Sequence, residues 1–115
     1  MDKFEINELL DFYGGLLTEK QREICEDYFS LDYSYQEIAE NRNISRTAVY
    51  DTIKRVKTEL SQYEKLLGCH AAYKKRMEIY EKIKESTDNA TVLSYVEILE
   101  NSENGGNEML KEFSW

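Results

Sequence analysis

Apolar residues recur every three or four positions along most of this chain, the repeat of one face of an α-helix. Phe4, Ile6, Leu9, Leu10, Phe12 and Tyr13 predict a first amphipathic helix over residues 3 to 13, which Gly14 and Gly15 stop. Thr18 with Gln21 forms a capping-box pair for a second helix running to about Leu31, with Glu19 in its first turn, where the helix dipole favours an acid. Its apolar face is Ile24, Cys25, Tyr28, Phe29 and Leu31, while Glu19, Glu23, Glu26 and Asp27 are expected to face water. Asp32 and Tyr33 link to a short third helix over Tyr35 to Asn41, opened by a second capping box, Ser34 with Glu37. Asn43 stands where a left-handed backbone is needed to reverse the chain, and Ser45 offers the N-cap of a fourth helix, Arg46 to Leu67, that ends at Gly68.

That fourth helix carries Val49, Ile53, Val56, Leu60, Tyr63 and Leu67 at spacings of 4, 3, 4, 3 and 4, the seam of a short coiled coil. It would extend roughly 33 Å. The residues before it are expected to cover only its first half, so the second half must pack on the following helix, on another subunit, or on both. A fifth helix from about Ala71 to Lys84 presents Tyr73, Met77, Tyr80 and Ile83, and a sixth from about Asn89 to Glu100 presents Val92, Leu93, Val96 and Leu99. Ser86, Thr87 and Asp88 supply the break and cap between them. The stretch NSENGGNEML from Asn101 is polar and bears glycine, which predicts a mobile tail, although Met109, Leu110, Phe113 and Trp115 are apolar enough to dock on the body or on a partner. The chain therefore divides into a helix-turn-helix domain at 1–67, a C-terminal helical extension at 68–100 and the tail at 101–115.

Two helices packed through Ile38, Ala39, Ile44, Val49 and Ile53 across a tight turn make the helix-turn-helix pattern, whose second helix can lie in the major groove with its N-terminal residues at base edges. With the small Ala39 in the first helix, Ser45-Arg46 after the turn, and Val49 and Ile53 in the second, the stretch resembles the helix-turn-helix of sigma-factor region four. Residues 1 to 85, including FEINELLDFYGGLLTEKQREICEDYF, more specifically resemble the YlxM family of small bacterial proteins. The resemblance implies an all-α fold of the winged-helix-like DNA-binding superfamily with extra C-terminal helices, and DNA binding as the function. Through gene neighbourhood it also implies a link to the signal recognition particle, whose GTPase or RNA then becomes a candidate partner. Asn43 departs from the glycine usual at that turn position.

The composition agrees with this reading. The chain has 115 residues, no proline, five glycines and 33% charged residues, which favours one small all-α domain, or such a domain plus an appendage. No apolar run approaches the roughly 20 residues needed to cross a bilayer, and the acidic start MDKFEINELL is unlike a signal peptide, so a cytoplasmic protein without membrane contact is expected. The formal charge of −8 opposes nucleic-acid binding unless it is unevenly distributed. It is uneven: residues 1 to 40 hold 3 basic and 11 acidic side chains, 41 to 84 hold 11 and 5, and 85 to 115 hold 1 and 7. The basic window falls on the candidate recognition helix and the helix after it.

Candidate contacts follow from the face opposite Val49 and Ile53. They are Ser45, Arg46, Thr47, Tyr50, Asp51 and Lys54 for base edges, with Arg55, Lys57 and also Arg42 placed for phosphates. Arg46 can pair with guanine, Thr47 or Tyr50 can meet a thymine methyl or a phosphate, and Asp51 suits a cytosine amino group or a partner arginine. Extra helices such as the fifth and sixth commonly pair helix-turn-helix proteins, so a homodimer is expected. Cys25 and Cys69 read as reduced thiols, and Cys69 beside His70 lacks the second ligand pair of a zinc site. With no nucleophile-base pair and no glycine-rich phosphate loop, neither catalysis nor a cofactor is expected.

Overall fold

The computed structural model describes residues 2–112, with side chains as far as residue 103. Among the described residues every regular element is helical. The α-helices are α1 Lys3–Tyr13, α2 Glu19–Cys25, α3 Tyr35–Arg42, α4 Arg46–Leu67, α5 Cys69–Ser86 and α6 Ala90–Glu112. A 3₁₀ turn, Gly14–Leu16, follows α1, and a π-helical segment, Glu26–Ser30, follows α2. Two compact units divide the chain after Ala71.

In the first unit α1, α2 and α3 all pack against α4. The core comprises Ile6, Leu9 and Tyr13 from α1, Ile24 and Cys25 from α2, Phe29 from the π-helical segment, Ile38 and Ala39 from α3, and Val49, Ile53, Val56 and Leu60 from α4. The expected caps form. Thr18 and Gln21 close one capping box, Ser34 and Glu37 the other, and Gly68 ends α4 at a φ of 62°, a left-handed turn that glycine adopts at little cost.

Three expectations change. The second half of α4 needs neither the following helix nor another subunit as far as Tyr63, because α1 covers it: Leu60 is 0% exposed, and Tyr63 packs on Tyr13 with ring centroids 6.0 Å apart. The last residue of the seam, Leu67, emerges, and Leu66 beside it is 81% exposed. The second helix does not continue regularly to Leu31. Its final turn widens, the amide of Leu31 bonding the carbonyl of Glu26 five residues back at 3.0 Å. In a widened turn, residues five apart share a face, which puts Phe29 beneath Ile24 and takes Leu31 out to solvent. Asp27, expected to face water, is instead buried at 8% exposure against Arg42.

In the second unit Tyr80 and Val96 are buried. Arg76 and Lys84 of α5 reach Glu103 and Glu100 of α6. The break between these helices is capped by Asn89, expected to begin the helix, whose carboxamide oxygen accepts from the amides of Thr91 and Val92. Helix α6 continues past Glu100, where the tail was expected to start, to Glu112. No proline interrupts its hydrogen-bond ladder, and Glu103 is tied to both Arg76 and Tyr80. Docking of the apolar end, with Phe113 and Trp115, lies outside the described residues.

Candidate nucleic-acid interface

The reversal from α3 to α4 takes three residues. Asn43 adopts φ 55° and ψ 48°, and the amide of Ile44 reaches back to the carbonyl of Ala39 at 3.0 Å, a Schellman closure made with asparagine in the glycine position. Ser45 then caps α4, its hydroxyl accepting from the amide of Ala48 at 3.0 Å. Because Ile38, Ala39, Val49 and Ile53 are buried and Ile44 packs on the same core, the angle between α3 and α4 is set by packing and the turn acts only as a hinge.

The packed face of α4 leaves the opposite one to solvent. Ser45, Arg46, Thr47, Tyr50, Asp51, Lys54 and Arg55 are all exposed. Arg46, Tyr50 and Lys54 stand four residues apart on one ridge of the helix, and Thr47, Asp51 and Arg55 form the neighbouring ridge. Lys57 is half-buried at the flank, its ammonium 5.8 Å from the centre of the Phe29 ring. Among the described residues neither Arg46, Lys54 nor Arg55 joins an ion pair, so their charge is free for a ligand.

Arg42 has another role than the phosphate contact expected of it. Its Nε donates to Asp27 at 2.7 Å and its Nη1 to Glu23 at 2.9 Å. The hydrogen bond to Asp27 holds the guanidinium above its already high ordinary pKa. The basic window of the sequence also divides. Arg76 and Lys84 lie in the second unit and are paired there with Glu103, Glu81 and Glu100. The free cations of the helix-turn-helix are therefore few and are concentrated on α4.

Two features had no clear signal in the sequence. An open depression beside the start of α4 is lined by Gln36, Ala39, Glu40, Asn43, Ile44 and Arg46, with Gln36 donating to Glu40 at 3.1 Å. The second is a polar clasp at the end of α4. Tyr13 donates to Glu64 at 2.6 Å, and the same carboxylate accepts from the amides of His70 and Ala71 at 3.1 and 3.0 Å, capping the first turn of α5. The amide of Cys69 bonds the Tyr13 oxygen at 3.0 Å, and His70 bonds Glu8. Burial pushes the Glu64 carboxyl up, but the hydrogen bonds from Tyr13 and the two amides outweigh it and leave the pKa below its ordinary value. Burial and the bond to Glu64 push the Tyr13 phenol up to about 12. His70 is thus engaged in packing the fold, and among the described residues no three potential metal ligands cluster.

Capped helices, a three-residue reversal and a solvent face of unpaired cations on the second helix define an all-α helix-turn-helix protein. The chain belongs to the UPF0122 family: the family model described as "Putative helix-turn-helix protein, YlxM / p13 like" matches residues 1–99. It is 46% identical over 86 residues to a UPF0122 protein of Malacoplasma penetrans, covering 75% of this chain and 80% of that one. It is 47% identical over 89 residues to one of Halalkalibacterium halodurans, covering 76% and 82%. With one of Caldanaerobacter subterraneus the identity is 52% over 77 residues, covering 67% and 66%. No helix among the described residues is long and apolar enough to cross a membrane.

Proposed function

We propose that this protein is a DNA-binding regulatory protein that lays the N-terminal half of α4 in the major groove. The observation that carries the reading is the set of unpaired cations, Arg46, Lys54 and Arg55, on the one α4 face that packing leaves open. A helix about 10–12 Å across fits a groove about 12 Å wide, and its first turns then meet base edges. In this arrangement Arg46 pairs with guanine, Thr47 and Tyr50 meet a thymine methyl or a phosphate, and Ser45 and Lys54 complete the base-edge set. Asp51 accepts from a cytosine amino group. Arg55 and Lys57 contact phosphates, which fix register. A homodimer through the C-terminal helices presents two such faces to two half-sites, and cytoplasmic DNA is the target.

A second reading is an interaction module that keeps the helix-turn-helix frame without reading DNA and docks on the signal recognition particle's GTPase or RNA. Val92, Tyr95, Ile98 and Leu99 of α6, all exposed, favour it, as does the charge of −8. Fluorescence anisotropy with random-sequence duplex DNA and with the particle's RNA, at low and moderate salt, separates the two. Salt-sensitive duplex binding that falls tenfold or more in Arg46→Ala/Lys54→Ala supports the regulator. A folded protein that ignores duplex DNA at low salt removes that reading and leaves the module.

A further inference from the structure

Tyr50 is the aromatic member of the exposed α4 ridge, lying between Arg46 and Lys54, and it is 48% exposed. A side chain of that length and exposure ordinarily samples several rotamers and pays entropy when a ligand fixes it. Here its ring is already engaged. Tyr35, the first residue of α3, meets it edge-on at a centroid distance of 6.0 Å and an interplanar angle of 81°. Tyr35 in turn packs on Tyr28 at 4.9 Å, and Tyr28 packs on Phe29 at the same distance. The Lys3 ammonium sits 4.8 Å from the centre of the Tyr28 ring and is paired with Asp32. Each support has its own anchor. The Ser34–Glu37 capping box fixes the backbone of Tyr35, and the π-helical segment aims Tyr28 while burying Phe29. The relay runs from α1 through the π-helical segment and the first turn of α3 to the exposed ridge.

We infer that Tyr35, backed by Tyr28, is a positioning residue that presets the Tyr50 ring for contact with a base edge or sugar in the groove. The inference rests on the duplex-DNA reading above and names a residue outside the ridge that controls it. Side chains on a helix lean toward its N-terminus, so Tyr50 held in this way leans over the Arg46 turn, where base edges would arrive. Burial also pushes the Tyr35 phenol up to about 12, so the supporting ring stays neutral throughout the physiological range.

A double-mutant cycle on the full chain tests this, with random-sequence duplex DNA as the probe. Tyr35→Leu is expected to weaken binding about two- to tenfold, the range for freeing one side chain that must be fixed on binding, and Tyr35→Phe, which keeps the ring, to restore it. In a Tyr50→Ala background Tyr35→Leu is expected to have no further effect. Equal losses in both backgrounds, or no loss in a folded Tyr35→Leu protein, overturn the inference while leaving DNA binding intact. Absence of duplex binding by the wild type overturns both readings together. Should Tyr35→Leu not fold, the ring resonances of Tyr50 in the free wild-type protein decide: ring-current-shifted signals are expected, and random-coil positions overturn the inference.

Discussion

Arg42 closes α3 onto the π-helical segment by holding Asp27 and Glu23 at once. The two bonds differ in weight, because Asp27 is buried whereas the Glu23 side chain is 44% exposed, where solvent screens the ion pair. Removing the guanidinium leaves a buried carboxylate unpaired. Arg42→Ala is therefore expected to cost about 2 kcal/mol in urea unfolding. With the protein folded, duplex affinity should change far less than in Arg46→Ala, although both remove one positive charge. A loss equal to that of Arg46→Ala would return Arg42 to the phosphate contacts. Glu64 shows the same economy at the other end of α4. Its folded pKa lies below the ordinary 4.5, so its contribution is complete above about pH 4.5 and is lost as pH falls through the lower folded value. Glu64→Gln should accordingly cost about 1 kcal/mol at pH 7 and progressively less under acid conditions, an interval that paired urea titrations measure. A penalty independent of pH would mean that the carboxylate charge takes no part in the clasp.

At the scale of elements, one face of α4 is core and the opposite face, with Arg46, Lys54 and Arg55, is open to solvent. The heptad-like seam identified the core side correctly, since Val49, Ile53, Val56 and Leu60 are all buried. It could not reveal what covers the lower half, because a seam records which face is apolar and not which element lies upon it. Leu60→Ala is expected to cost about 3 kcal/mol and Leu66→Ala less than about 0.5 kcal/mol in thermal or urea unfolding. Similar costs at the two positions would show that α4 is covered to its end. The turn into α4 makes a second demand. A left-handed residue other than glycine or asparagine is strained, so Asn43→Ala should destabilise by about 1 kcal/mol while Asn43→Gly is neutral or stabilising. Calorimetry on both variants checks the order. The exposed Ser45, Arg46, Thr47, Tyr50, Asp51, Lys54 and Arg55 were all legible in the sequence, since each lies off the Val49/Ile53 face by the helical period. The tyrosine relay was not, because Tyr28, Tyr35 and Tyr50 come from three elements and meet only when the bundle is assembled.

For the whole molecule, the decisive quantity is how a chain of charge −8 presents a cationic face. The structure pairs some cations of the basic window and leaves others unpaired. On α5, Arg76 and Lys84 are neutralised by carboxylates of their own unit, while α4 keeps Arg46, Lys54 and Arg55 unpaired. The phosphate contribution should then be modest. Counting Arg55 and Lys57, the two side chains placed on phosphates, the slope of log affinity against log salt is expected at about −2 per subunit, and Arg55→Ala should reduce its magnitude by about 1. A slope near zero with retained binding would show that contacts other than phosphates hold the complex.

What the sequence determined by itself is local: helix starts at Thr18, Ser34 and Ser45, reversal at Asn43, termination at Gly68, and the inward face of α4 from Val49 to Leu60. These depend on groups a few residues apart, whose hydrogen bonds and stereochemistry are set before any distant part of the chain arrives. Only the tertiary structure decided the partners of the long side chains. Arg42 could reach a phosphate or a carboxylate, Asp27 could face water or a guanidinium, and Tyr50 could stand alone or against Tyr35. Such side chains span enough distance that their energy depends on which elements pack beside them, and that information is carried by the assembled core rather than by spacing along the chain.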